Sequence, residues 1–114
     1  MSATIYRDDL ERVYALIEKP ERWTQGASAR RANDSITDAS SDDACKWCVE
    51  GAFERVMQAP EQLYFGNLMA LLGTTPHTFN DSHTHAEVLQ LLKDAIARAP
   101  VREAEGKSEG AGRE

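Results

Sequence analysis

Apolar side chains recur at helical spacing from the first residues of the chain onward. Tyr6, Leu10, Val13, Tyr14 and Ile17 share one face of a predicted helix over residues 8–19. Pro20 ends it, because the residue before a proline is steered out of the helical region. The periodicity then vanishes between residues 21 and 40. Gly26 and the run Asn33-Asp34-Ser35 carry turn chemistry there, which predicts an ordered loop or a short hairpin. Trp23 argues for order, since its indole gains most when it is packed. A second helix is expected from Ser40 or Ser41, either of which can cap it, to about Gln58. Asp42 and Asp43 would then suit the positive end of its dipole. Pro60 fits the first turn of a third helix over residues 61–72, closed by Gly73. Leu63, Tyr64, Phe65, Leu68, Met69, Leu71 and Leu72 surround that helix on nearly all sides, so it is expected to be largely buried. Residues 74–83 read as a second polar connection. Thr84 and Glu87 then have the capping-box spacing, and Val88, Leu92, Ala95, Ile96 and Ala99 stripe a fourth helix that stops before Pro100.

These elements predict a mainly all-α fold: a compact four-helix domain over residues 1–99, with a long ordered loop or short hairpin between the first and second helices. A chain of 114 residues suffices for one modest core. Residues 100–114 place Gly106, Gly110 and Gly112 among alternating charges and can bury almost nothing, so a disordered tail is expected there.

Charge narrows the partners. Nineteen acidic against 13 basic side chains leave a formal net charge of −6, which repels phosphate backbones. The one small basic group, Arg22, Arg30 and Arg31, is followed closely by Asp34 and Asp38, so no nucleic-acid partner is expected. No apolar run approaches the roughly 18 residues of a membrane span, and no membrane partner is expected. The first residues lack the basic-then-apolar plan of a signal peptide, which predicts a cytoplasmic protein with reduced thiols.

Those thiols are the most suggestive chemistry in the chain. Cys45 and Cys48, its only two cysteines, flank Lys46-Trp47. On a helical wheel both fall beside Val49, Ala52, Phe53 and Val56, on the core side of the second helix, where a free cysteine acts as a small hydrophobe. Trp47 falls on the opposite side, beside Gly51 and Ala44, and needs cover from the segment around residues 23–29. A redox pair remains an alternative, since a helix N-terminus lowers a thiol pKa, although no preceding strand is evident. A zinc site would need two further ligands, and Cys-x2-Cys with a distant His83-Thr84-His85 matches no common spacing. No metal and no cofactor is expected.

The remaining candidates are polar. Asn80 and Asp81 can satisfy loop backbone or, with His83 nearby, serve a site. Gln25 and Arg30 lie in the long loop. Arg30 can pin that loop by pairing with Asp81 or with an acid at the start of the second helix; left unpaired, it can receive a small anion. Trp23, Gln25, Arg30, Trp47, Asn80, Asp81 and His83 are therefore the candidate binding residues, and none is assigned a catalytic role.

Three blocks in order carry a resemblance: Trp23-Thr24-Gln25-Gly26, then Trp47-Cys48-Val49-Glu50-Gly51-Ala52, then Phe79-Asn80-Asp81 with Thr84-His85-Ala86-Glu87-Val88. Over residues 10–97 the chain resembles a family of small bacterial and phage-borne proteins classed as a domain of unknown function. The resemblance implies a mainly helical domain in which the three blocks come together. Cys48 belongs to that pattern and Cys45 does not. Residues 31–35 depart from the acidic, glycine-containing turn that the family carries there.

Functionally, these readings favour a non-enzymatic interaction or accessory module with another protein as partner and Trp23 as a possible anchor. The alternatives are a thiol-redox or metal-binding protein using Cys45 and Cys48, and a small ligand binder or hydrolase built on Gln25, Arg30, Asn80 and Asp81.

Overall fold

The structure, a computed structural model, describes residues 3–102. Five α-helices and one small sheet are found there: α1 (Arg7–Ile17), β1 (Ala29–Arg30), β2 (Ile36–Thr37), β3 (Lys46–Trp47), α2 (Val49–Met57), α3 (Phe65–Leu72), α4 (Pro76–Ser82) and α5 (His85–Arg98). Single 3-10 turns at Pro20–Arg22 and Glu61–Leu63 complete the order. The fold is mainly helical, but it is not the four-helix all-α domain that periodicity predicts.

The core forms where amphipathic stripes meet. Leu10, Val13 and Ile17 of α1 are fully buried against α2 and α5, which contribute Val49, Ala52, Phe53, Val88, Leu92 and Ala95. At roughly 25 cal/mol per Å² of apolar surface, each such leucine, valine or phenylalanine contributes about 1.5–3 kcal/mol. The start of α5 follows the expected capping box, with Glu87 N donating to Thr84 Oγ1 (3.2 Å) and Thr84 N donating to Glu87 Oε1 (2.8 Å). The fourth predicted helix is thus found as α5. No helix among the described residues is long and apolar enough to cross a membrane.

The largest correction concerns the second predicted helix. It begins at Val49, with Cys48 as N-cap, rather than at Ser40 or Ser41. The Ser-Asp cluster there is consumed by turns: Ser41 N donates to Asp38 O, Ala44 N donates to Ser41 O, and Asp43 accepts from Ser41 Oγ and Arg31 Nε. Lys46 and Trp47 then find their backbone partners on β1, in the pairs Arg30↔Lys46 and Ala29↔Trp47. Extended pairing leaves those residues nothing to gain from helix.

The short-hairpin alternative for residues 21–40 is the one observed. β1 and β2 pair antiparallel with Ala29 opposite Thr37, giving the strand order β2-β1-β3. Asp34, at φ 72°, closes the turn in the left-handed region, which a short polar side chain tolerates. Arg31 N donates to Ser35 O across it.

Two further expectations change. The third predicted helix divides into the Glu61–Leu63 turn and α3, and only Tyr64, Leu68 and Leu72 line its buried face. Leu63 is 51% exposed, so this segment is not buried all round. Residues 74–83 are not a polar connection: Pro76 opens α4 and its missing N–H is no loss in a first turn. The predicted tail lies outside the described residues beyond Arg102.

Candidate functional site

The two polar segments that sequence singles out do meet, and Asn80 is where they meet. Its side chain, fully buried on α4, uses all four of its hydrogen-bonding positions. Oδ1 accepts from Trp23 Nε1 (2.7 Å) and from Val49 N (3.0 Å), one of the donors left open at the start of α2. Nδ2 donates to Thr24 O (2.9 Å) and Asp81 Oδ1 (3.1 Å). The Asn80 carbonyl accepts from Gln25 Nε2 (2.9 Å), which also donates to His83 O. Asp81 Oδ1 accepts from Gly26 N (3.0 Å). One asparagine therefore joins the 23–26 loop, the start of α2 and α4.

Arg30 follows neither of its predicted uses. Its guanidinium donates to Thr24 Oγ1, Gln25 O and Asp34 O at 2.9–3.1 Å, clamping the two turns that flank β1. Among the described residues it makes no ion pair with Asp81 or with Asp42 or Asp43, the acids expected at the start of the second helix, and three of its five N–H groups are engaged in these bonds. Trp47 is buried as expected, but from β3 rather than from a helix face. Its Nε1 donates to Ala39 O (2.9 Å), and the Arg55 guanidinium lies 5.4 Å from its ring centroid. His83 stacks on Phe79 with centroids 3.6 Å apart, and its Nδ1 lies 2.9 Å from Phe79 O.

The cysteines do not share a helical stripe. They bracket β3, and an odd separation along extended backbone sends side chains to opposite faces. Cys45 is half-buried with its thiol near Asp43 O, whereas Cys48 is 3% exposed. Cys48 Sγ accepts from Gly51 N (3.3 Å), capping α2. Burial outweighs that bond and pushes its thiol pKa up to about 11. Among the described residues, no three His, Cys, Asp or Glu side chains stand close enough to hold a metal ion. Iodoacetamide at pH 8 should therefore modify Cys48 at least about a hundredfold more slowly than it does an ordinary thiol, and only denaturant should restore the rate. Mass spectrometry of timed digests measures this; prompt native labelling at Cys48 would refute its burial.

A family model matches residues 1–98, nearly the whole of the described fold. The chain belongs to the family of unknown function DUF6197. Neither the curated proteins nor the solved structures gave a match.

In this DUF6197 member the residues left with unmet polar demand are not the ones sequence reasoning selected. Glu50 and Glu54 lie one turn apart on α2, and Glu61 and Tyr64 come from the turn leading into α3. Among the charged groups acting on Glu61, Glu50 acts most strongly. Desolvation and this neighbour push Glu61 up to about 8, and desolvation with Glu50 and Asp38 raises Glu54. Glu61 Oε2 and the hydroxyl of Tyr64 are buried and have no hydrogen-bond partner among the described residues. His77 Nδ1 stands 3.6 Å from Glu50 Oε2 on the outer side. Glu50 and His77 border a cavity of about 190 Å³ with Gly26, Ser28, Cys48 and Asp81. Glu54 borders a second one of about 390 Å³ with Ser28, Thr37 and Asp38. The i, i+4 spacing of Glu50 and Glu54, with no basic residue between to relieve it, was the available signal. Only the fold brings Glu61 and Tyr64 to them.

Proposed function

We propose that the domain is a non-enzymatic interaction module that receives a basic segment of another protein on the acidic side of α2. The observation that supports this most directly is uncompensated charge. Glu54 is raised by desolvation and by the neighbouring carboxylates of Glu50 and Asp38, with no cation acting to lower it. Asp38, Glu50 and Asp81 extend the same sign along the two cavities. Such a surface attracts a basic partner and speeds its encounter. The candidates Asn80, Gln25 and Arg30 are meanwhile spent on holding the fold together.

Titration with a ten-residue peptide of alternating lysine and glycine tests the reading, by calorimetry at low and at physiological salt. Saturable binding that weakens with salt, and falls about tenfold or more in Glu54→Lys, is the expected result. Absence of binding at low salt, or binding indifferent to Glu54→Lys, would count against it.

A second reading, thiol-dependent chemistry at Cys48, has one observation in its favour. Cys48, His77, Glu50 and Asp81 line one cavity, and Glu50 is placed to orient the imidazole. Its raised pKa opposes that role. Cys48→Ala leaves peptide binding unchanged under the first reading.

A further inference from the structure

We infer that the hollow between the N-terminal segment, α3 and the end of α5 binds a small alkyl monocarboxylate, with its carboxylate on Arg98 and its chain along Ile5, Leu71 and Pro100. The hollow has a volume of about 290 Å³, and Thr4, Ala70 and Asn67 complete its lining. It shares no lining residue with the two cavities on the acidic side of α2, so its ligand is independent of the basic partner proposed there.

The walls are held in place by bonds that leave the hollow open. Ala3 N donates to Leu63 O, Asn67 Nδ2 donates to Ala3 O (2.7 Å), and Arg7 N donates to Pro100 O (2.8 Å). These tie the N-terminal segment to α3 on one side and to the end of α5 on the other. Ile5, at 1% exposure, is backed by the core. A shaped apolar recess of this kind costs little reorganisation when it is filled.

Arg98 supplies the charge. In a chain with 19 acidic and 13 basic side chains an arginine finds a carboxylate readily, and Arg12, Arg31 and Arg102 each meet an aspartate. Arg98, exposed on the last turn of α5, meets none among the described residues. Its guanidinium donates to the Leu71 carbonyl of α3, which fixes it beside the hollow and leaves four of its five N–H groups for a ligand. The planar fork matches a carboxylate with two parallel bonds. A cation at the rim repels an amine, and apolar walls favour an alkyl chain over a sugar. The volume lies at the lower edge of ordinary ligand pockets, about 300–1,000 Å³, which selects a small molecule. A peptide C-terminus fits less well, because its capture relies on open backbone N–H groups. Ala70, Leu71 and Arg98 spend theirs inside their helices, and Pro100 has none.

Titration of the ¹⁵N-labelled protein with sodium hexanoate, followed by amide chemical shifts, tests the site. Hexanoate should shift Ala70, Leu71 and Arg98 saturably, and butanoate should bind more weakly by up to about fourfold per missing methylene. Acetate and hexylammonium should each be about tenfold weaker or worse. Arg98→Gln should weaken hexanoate by about tenfold, and Ala70→Leu, which fills the hollow, should abolish the shifts. Both positions are exposed, and unchanged unfolding midpoints show that the fold is kept. Shifts that do not saturate, or that survive both substitutions, overturn the site. Equal binding of hexanoate and hexylammonium reduces the hollow to an apolar surface and overturns the role of Arg98. Tighter binding of N-acetyl-glycyl-leucine than of hexanoate makes a peptide C-terminus the ligand and overturns the free carboxylate. The lysine-glycine peptide titration is read separately and is decided by none of these results.

Discussion

Gly51→Ala should lower the stability of the domain by about 3 kcal/mol or more, an unusually large effect for one added methyl group. A Cβ built on Gly51 would stand 1.9 Å from the carbonyl oxygen of Ser28, 2.7 Å from its carbonyl carbon and 3.1 Å from its Cα. All three are backbone atoms, so no side-chain rotation relieves the clash. Relief requires the hairpin to lift away from α2. That movement stretches the bond from Cys48 N to Ser28 O (3.2 Å) and disturbs the adjoining pair Ala29↔Trp47. Trp47 is 2% exposed, and its ring would be uncovered in the process. Urea unfolding followed by fluorescence gives the value, read as a lower midpoint at unchanged slope. Gly73→Ala is the comparison: its φ is 73°, but nothing lies within 4 Å of the added carbon. Backbone strain alone should cost that variant about 1–2 kcal/mol. If Gly51→Ala is no worse than Gly73→Ala, the close approach of hairpin and helix is not real.

The same contact marks where sequence stops being legible. Periodic elements read well: the α1 stripe, the Thr84–Glu87 capping box and Gly73 closing α3 are local signals with local causes. Lys46 and Trp47 did not, because their strand conformation is decided by Ala29 and Arg30, some seventeen residues away. With that pairing hidden, Cys45 and Cys48 look like a helical i, i+3 pair when they bracket a strand. Residues 74–83 failed for the opposite reason. α4 has about two turns of mostly polar residues, and its buried side chains are those of Pro76 and Asn80, so no apolar stripe announces it. For the site, the meeting of Gln25, Asn80 and Asp81 follows the three recognisable blocks. Their mutual saturation depends on which atoms face which, and spacing does not encode that. Glu61 and Tyr64 escaped because Tyr64 counts as a hydrophobic position in any periodicity argument, whereas its unmet hydroxyl exists only once the chain has folded.

Asn80→Ala should be comparably damaging, by about 3 kcal/mol or more, and for a reason that a volume argument would miss. The truncation removes one amide and strands three partners. Trp23 Nε1, Val49 N and Thr24 O each lose a bond of 2.7–3.0 Å. An unsatisfied buried donor or acceptor costs about 1–3 kcal/mol, and the small cavity adds to it. Asn80→Asp separates hydrogen bonding from size. The aspartate can still accept from Trp23 and Val49, but it cannot donate to Thr24 O or to Asp81 Oδ1 unless protonated. Buried beside another carboxylate, it should titrate well above an ordinary aspartate in the folded state. The unfolded chain then ionises first, so the variant loses stability as pH rises above about 4, the usual aspartate value. Comparing unfolding midpoints at pH 4 and pH 7 reads this directly. Asn80→Asp should approach the parent protein at the lower pH and fall toward Asn80→Ala at the higher one. Equal penalties at both pH values would mean that the amide hydrogens contribute little. The staple between loop and helix would then rest on the two bonds that Oδ1 accepts, with Trp23 and Val49 carrying it.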